Sequence, residues 1–108
     1  MLCNEYQKAA LETAIFPDEY KILYPALGLA GEAGEVAELI KKMIRDDNGE
    51  LTEIRREKLR KELGDVLWYV AVLSAKAGFS LDEIAVGNIV KLNARKEQGT
   101  LQGSGSDR

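Results

Sequence analysis

The sequence predicts an all-α protein, a four-helix-type bundle that assembles into an oligomer. Apolar residues recur with a helical period along the chain, and no stretch alternates convincingly as a half-buried strand would. The stretch VLWYVAVL, residues 66–73, is apolar around its whole circumference, and such a helix needs neighbours on all sides. A chain of 108 residues can bury only a modest core. The simplest additional neighbour is therefore a second subunit, in a homo-oligomer built on a dimer.

The first two helices follow from local signals. Helix 1 is predicted over about residues 4–15, followed by the link FPDEY. Helix 2 is predicted over about residues 24–45, with Pro25 in its first turn, where proline is tolerated. The cluster DDNGE, residues 46–50, is typical of a turn that ends this helix.

The last two helices have clearer ends. Helix 3 is predicted over about residues 52–77 and stops at Gly78, because glycine favours helix C-termini. Ser80 and Glu83 have the spacing of a capping box, so helix 4 is predicted to begin at Leu81 and to continue to about residue 97.

The overall composition indicates a single helical domain over residues 1–98, followed by a Gly/Ser-rich tail, residues 99–108, without regular structure. The net charge of -3 argues against nucleic-acid binding by bulk charge. No apolar run is long enough to span a membrane, and the first residues lack a signal-peptide core. We therefore expect a cytoplasmic protein without a membrane partner.

The available side chains restrict the chemistry. Cys3 is the single cysteine and the chain contains no histidine. Disulfides, Cys/His zinc sites and histidine-activated nucleophiles are therefore excluded. The absence of histidine also excludes the di-iron type of carboxylate bundle, which pairs Glu with a Glu-x-x-His motif. The remaining groups are carboxylates, amides, hydroxyls, Lys and Arg.

The stretch GLAGEAGEVAELIKK, residues 28–42, spaces three carboxylates three residues apart on helix 2. At about 100° per residue, Glu32 falls inside the apolar stripe of the helix. Glu35 lies at the edge of that stripe, and Glu38 lies about 60° further toward solvent. A carboxylate in the buried stripe is unusual, because burying an unpaired charge is costly.

Helix 3 repeats the pattern in KELGDVLWYV. Glu62 lies in the apolar stripe and Asp65 takes the position that Glu35 takes on helix 2. Most basic residues of both helices fall on the solvent side, with Lys58 and Arg55 as partial exceptions. A divalent cation with oxygen ligands suits the four acids better, and Mg²⁺ or its substitute Mn²⁺ is the natural candidate.

An alternative is that these acids form a solvated face with salt bridges to Lys42 and its neighbours. The duplicated acid-x-x-acid pattern favours the metal site over this alternative, whereas Glu38 taken alone fits the solvated face better. Because Mg²⁺ is usually held by a few carboxylates together with substrate phosphates, the pattern points toward a phosphorylated substrate.

Helix 4 carries a polar flank of Asn88, Lys91 and Arg95 on one side of its apolar centre. The two cations could grip phosphate oxygens while the amide orients a base or sugar. Equally, the cations could be a solvated flank that offsets the helix dipole. Both interpretations are open. The aromatic pair Trp68 and Tyr69 fits a core or a subunit interface better than a base-stacking platform.

The two acidic motifs in this order, followed by N-x-x-K-L-N-x-R, resemble the MazG-like all-α nucleoside triphosphate pyrophosphohydrolases. The resemblance extends from about residue 6 to residue 108. It implies a helical bundle that forms dimers or tetramers. It also implies Mg²⁺-dependent hydrolysis of a (deoxy)nucleoside triphosphate to the monophosphate and pyrophosphate, an activity that would serve nucleotide-pool housekeeping. It also implies metal ligands on helices 2 and 3: Glu32, Glu35, Glu62 and Asp65.

The same resemblance implies that Lys91 and Arg95 contact the phosphates and that Asn88 lies near the nucleotide. Glu35 and Glu38 are the candidate catalytic carboxylates. Many relatives carry two adjacent acids at the start of the first motif, whereas this chain has Gly31 before Glu32. This departure leaves open how many metal ions bind and which carboxylate is the general base.

Two other functions fit the same residues. One is a pyrophosphohydrolase restricted to dUTP, dCTP or phosphoribosyl-ATP. The other is a helical oligomerisation or regulatory module without catalysis. Gly31 and Gly34, which are poor helix formers, are expected to serve close packing or substrate approach.

Overall fold

A computed structural model describes residues 1–99, and these residues form helices and connecting turns without a β-strand. The all-α prediction is therefore confirmed for this part of the chain. The predicted irregular tail lies outside the described residues except for Gly99. The helices are α1 (Cys3–Glu12), α2 (Leu23–Asp46), α3 (Glu53–Lys76) and α4 (Leu81–Glu97), with a short 3₁₀ helix at Asp18–Tyr20 between α1 and α2.

Helix α1 is shorter than the sequence predicts: it ends at Glu12 instead of residue 15. The Thr13 hydroxyl donates to the Ala10 carbonyl at 2.8 Å and accepts from the Trp68 indole N–H at 2.8 Å. Both bonds use the side chain of the residue at which the helix ends, and Ile15 beyond it is 90% exposed. The other three helices match their predicted bounds to within one residue.

Side chains and a glycine set three of the helix ends, and two of these, at Ser80 and at Gly78, are as the sequence predicts. Thr52 caps α3 by accepting from the Arg55 N–H. Ser80 and Glu83 form the predicted capping box at the start of α4. At the end of α3, Gly78 has a φ of 90°, and the next residue, Phe79, donates to the Ser74 carbonyl at 2.8 Å. This left-handed turn ends α3 at the position where a glycine is required.

The helices pack in two groups around α3. Helix α2 runs antiparallel to α3 along most of its length, and α1 and α4 pack against α3 from elsewhere. Val72 is fully buried at the centre of a small core, to which the partly buried Trp68 also packs. The core therefore surrounds the apolar second half of α3, and its buried members are Ala10, Ala71, Val72 and Leu81.

Gln7 connects three helices through its buried side-chain amide. Its Nε2 donates to the Ala71 carbonyl at 3.1 Å and to the Phe79 carbonyl at 3.0 Å. Its Oε1 accepts from the Leu81 N–H at 3.1 Å. Because every polar atom of the amide has a partner, this buried polar group stabilises the junction of α1, α3 and α4.

The outer face of α4 is apolar and exposed. Val86, Ile89 and Val90 are 53%, 58% and 63% exposed, respectively, and together with Ala85 they line a shallow, wholly apolar depression.

The Cα radius of gyration is 16.6 Å, compared with about 13 Å for a compact domain of 100 residues. Among residues 1–99, no helix combines the length and the apolar character that a membrane span requires.

Candidate active site

Three carboxylates converge where α2 passes α3. Glu32 from α2 and Glu62 and Asp65 from α3 each place one oxygen within 4.8 Å of the others. Glu32 and Glu62 are half-buried, and Asp65 is exposed. The antiparallel pairing of the two helices brings the first acid of one motif against both acids of the other, as the duplicated pattern predicts.

The spacing of these oxygens fits a hard divalent cation. Octahedral Mg²⁺ holds its ligands at 2.0–2.1 Å, so neighbouring ligand oxygens lie about 2.9 Å apart and opposite ones about 4.2 Å apart. The oxygens of the cluster lie within 4.8 Å of one another, and they would move closer together to reach these distances. Three carboxylates also leave coordination positions for water and phosphate oxygens, which Mg²⁺ usually retains.

The electrostatics of the cluster favour the same ligand. Burial raises the pKa of Glu32, a hydrogen bond with Glu62 raises it further, and the negative charges of Asp65, Glu62 and Glu35 add to the shift. Like charges at such short distances disfavour full ionisation. A divalent cation would remove this repulsion.

Two tyrosines lie in the field of the cluster. Burial raises the pKa of the Tyr6 phenol, and the Asp65 carboxylate raises it further. Burial also raises the pKa of Tyr69, with smaller effects from Tyr24, Glu32 and Asp65. Tyr6 belongs to α1, so three helices contribute side chains to the surroundings of the acids.

The fourth predicted ligand, Glu35, lies outside the three-carboxylate cluster. Its side chain is exposed and lines an adjoining groove of about 230 Å³ between α2 and α3, which Glu38 and Glu62 also line. Glu35 is near enough to Glu32 to affect its pKa. The structure thus brings three of the four predicted ligands together and leaves the fourth beside them.

Glu38 is engaged by lysines of its own helix. Its carboxylate lies 3.0 Å from the Lys41 ammonium and 4.0 Å from that of Lys42. The hydrogen bond from Lys41 holds the pKa of Glu38 below its usual value. These contacts are i,i+3 and i,i+4 salt bridges. They agree with the solvated face that the sequence favours for Glu38 taken alone.

The three polar residues of α4 do not line the groove beside the acids. Asn88 and Lys91 are exposed, whereas Arg95 is buried. They share the flank that the helical period predicts, but α4 packs mainly on α1 and α3. Their predicted contacts with a nucleotide stay a prediction.

The groove contains cations that the sequence indicated only in part. Its basic lining residues are Lys42, Arg55, Lys58 and Lys61. Arg55 is held by Asp47 at 2.8 Å. The helical wheel places Arg55 and Lys58 partly toward the seam and most of the other basic residues toward solvent. The signal for Lys61 is its position four residues before Asp65, which puts both residues on one side of α3.

Close packing of α2 and α3 depends on Gly28. A Cβ at this position would lie 2.1 Å from the Tyr69 ring. A Cβ at Gly31 or Gly34, by contrast, would meet no atom of residues 1–99 within 4 Å. The expectation that Gly31 and Gly34 serve close packing is therefore wrong for residues 1–99, because a side chain at either position would meet open space there. The alternative, that they serve substrate approach, stays a prediction.

Comparison with known proteins identifies the class to which this fold and site belong. Residues 23–100 match the sequence profile of the MazG nucleotide pyrophosphohydrolase domain, a narrower range than the motifs suggested. The chain therefore belongs to the MazG nucleotide pyrophosphohydrolase family. It is also 45% identical over 109 aligned positions to the Gene 37 protein of Mycobacterium phage L5, covering 95% of this chain and 96% of that protein. No solved structure gives a significant match.

Proposed function

We propose that this protein hydrolyses (deoxy)nucleoside triphosphates to the monophosphate and pyrophosphate in a Mg²⁺-dependent reaction. The observation that carries the proposal is the convergence of Glu32, Glu62 and Asp65 in a chain of the MazG nucleotide pyrophosphohydrolase family. A non-catalytic module would have no evident use for three crowded carboxylates, which are costly without a counter-charge.

Each carboxylate has a proposed role. Glu32, Glu62 and Asp65 hold the metal ion, for which Mn²⁺ is a possible substitute. When bound, the ion supplies neutralisation of phosphate charge and activation of the attacking water. Glu35 is the proposed general base, because it lies beside the cluster with an exposed carboxylate. Glu38 is the weaker candidate, because Lys41 stabilises its ionised form.

The proposed reaction uses these roles. Glu35 accepts a proton from a water molecule as the water oxygen attacks the α-phosphorus. The bond between the α-phosphorus and the oxygen that bridges to the β-phosphate breaks, and pyrophosphate leaves with the electron pair. The monophosphate retains the attacking oxygen. Cations near the departing group stabilise its developing charge.

A second copy of the chain is part of the proposal. The exposed apolar face of α4, with Ile89 and Val90 at its centre, is what a homodimer or homotetramer would cover. Such an assembly also offers a role for Asn88 and Lys91, which are exposed on the same helix and could contact the nucleotide held by another subunit.

The test is pyrophosphate release from a panel of ribo- and deoxynucleotides, including dUTP and dCTP, with Mg²⁺ and with EDTA. We expect turnover only with the metal. The substitutions Glu35→Gln and Asp65→Asn should each reduce the rate by about 100-fold or more, the range for loss of a positioned acid or base. Glu12→Gln removes an exposed acid of α1 and is the matched control. A folded protein with no turnover of any nucleotide and no Mg²⁺ binding would contradict the proposal.

A further inference from the structure

The outer face of α4 carries a stripe of apolar side chains that residues 1–99 leave uncovered. All members of this stripe are exposed, and they are Ala85, Val86, Ile89 and Val90. Exposed apolar surface with charged residues at its rim is typical of a site that binds another protein surface.

Opposite charges stand at the two ends of the stripe. Asp82 lies seven residues before Ile89, and Lys96 lies seven residues after it. Seven residues make two helical turns less about 20°, so both charges fall within about 20° of Ile89 around the helix axis and about 10.5 Å along it. Asp82 belongs to the acidic first turn of α4 and Lys96 to its basic last turn. The two ends are therefore symmetric in position about Ile89 and opposite in charge.

Neither charge is neutralised within the described part of the chain. Both side chains are exposed, and none of the ion pairs formed by residues 1–99 includes Asp82 or Lys96. A complementary partner offers a cation opposite Asp82 and an anion opposite Lys96, with apolar side chains between them. The stripe of α4 itself has this arrangement when it is turned end to end.

We propose that a second copy of the chain covers the stripe, with the two α4 helices antiparallel and a twofold axis passing beside Ile89. In a twofold interface, contact of one residue with another is always made twice, so Asp82 of each copy lies opposite Lys96 of the other. The antiparallel arrangement also sets opposite ends of the two helix dipoles side by side. A parallel pair would instead place Asp82 against Asp82 and Lys96 against Lys96, and such like-charge contacts are repulsive. The inference rests on the homo-oligomer of the proposed function and adds its interface and orientation.

Two residues just before α1 enlarge the apolar surface at one end of the stripe. Met1 and Leu2 are exposed, and they line a depression together with Asp82. The Asp82 N–H donates to the Asn4 side-chain oxygen at 3.0 Å, which joins the starts of the two helices. In the antiparallel pair this surface lies beside the end of the other copy's α4. Stable interfaces bury about 1,200 Å² or more in total, and these residues help to supply that area.

Disulfide trapping tests the orientation in a protein whose exposed native thiol is removed by Cys3→Ser. Ile89→Cys should give a covalent dimer as the main product of mild oxidation, because the twofold axis brings the two copies of this residue together. Asp82→Cys alone should not, because its two copies lie about 21 Å apart along the helices, far beyond the reach of a disulfide. Asp82→Cys combined with Lys96→Cys should be trapped again. Lys91→Cys, on the opposite side of α4, is the matched control and should give no covalent dimer.

Sedimentation equilibrium tests the same pairing without crosslinks. Asp82→Lys and Lys96→Asp each turn two attractions into two repulsions, so each should raise the dimer dissociation constant about tenfold. The double charge variant should return to the wild-type value. Ile89→Asp should give a monomer, and far-UV circular dichroism shows whether each variant is folded.

Three results would overturn the inference: a monomeric wild type, an oligomer that Asp82→Cys traps and Ile89→Cys does not, or a double charge variant that associates no more tightly than the single ones. Turnover of nucleotides by a monomer would overturn the inference and leave the proposed hydrolysis intact. A trapped dimer that hydrolyses no nucleotide would overturn the proposed hydrolysis alone.

Discussion

The two halves of α3 differ in what holds them. The second half, residues 66–76, contains the buried Ala71, Val72 and Ser74 and packs into the core with α1 and α4. The first half, residues 53–65, is mostly charged, and no residue in it is fully buried. Yet Glu62 and Asp65 belong to this first half. The core thus anchors α3 at one end, while the proposed metal ligands lie on the part of the helix with the fewest buried contacts, where open space admits a ligand.

Contacts with α2 hold the first half in place. Thr52 caps the start of α3, and Arg55 joins it to Asp47 at the end of α2. Near the middle of α3, the Tyr69 ring lies against Gly28. The position of the acids thus depends on the α2–α3 interface more than on the core. Substitutions in the core, at Gly28 and at the acids test this division.

The largest effect on stability is expected in the apolar half. Val72→Ala removes two methyl groups from a fully buried site and should lower the free energy of unfolding by about 2 kcal/mol through lost burial and a cavity. Ile54→Ala, in the charged half where the side chain is 71% exposed, should cost less than about 0.5 kcal/mol. Urea denaturation at one fixed protein concentration measures both. Equal losses would show that the two halves do not differ as described.

An intermediate effect is expected at the contact that joins the halves. Gly28→Ala places a methyl group against the Tyr69 ring, so α2 or the ring must shift, at a cost of about 1–1.5 kcal/mol, the lower part of the range for overpacking. Gly31→Ala and Gly34→Ala meet open space and should gain up to about 1 kcal/mol from helix propensity. The free energies of unfolding of the three variants make the comparison. Stabilisation by Gly28→Ala would contradict close packing at this point, and a loss in the other two would indicate a covering second subunit.

The smallest effect on stability is expected at the acids. The pKa of Glu32 is raised in the fold, so protonation stabilises the protein and stability falls as pH rises from the unfolded pKa of about 4.3 through the folded pKa. Glu32→Gln removes this loss. Without metal, its melting temperature should exceed that of the wild type at neutral pH, and the difference should shrink as the pH falls toward the unfolded value.

Mg²⁺ should reverse that order. The ion is expected to raise the melting temperature of the wild type, because it binds only the folded state, and to have little effect on Glu32→Gln. Glu97→Gln, an exposed acid at the end of α4, is the control and should respond to Mg²⁺ as the wild type does. Equal Mg²⁺ stabilisation of Glu32→Gln and the wild type would remove Glu32 from the metal ligands.

The sequence alone determined the helices and the two acidic motifs. Helix ends follow from local chemistry, as at Thr52, Ser80 and Gly78, because caps and left-handed turns depend on residues within one helical turn. The half-buried position of Glu32 and Glu62 followed from the helical period, since rotation about a helix axis depends only on residue spacing.

Only the tertiary structure decided which groups meet across the seam. The axial offset and rotation of α2 against α3 depend on packing between the two helices, which are in close contact where Gly28 meets the Tyr69 ring, and no pattern within a single helix specifies them. That offset brings Glu32 to Glu62 and Asp65 but leaves Glu35 in the groove, and it places Lys61 beside them. Distances between helices are set by side-chain packing. The sequence could therefore predict that acids of α2 and α3 meet, but not which of the four acids do so.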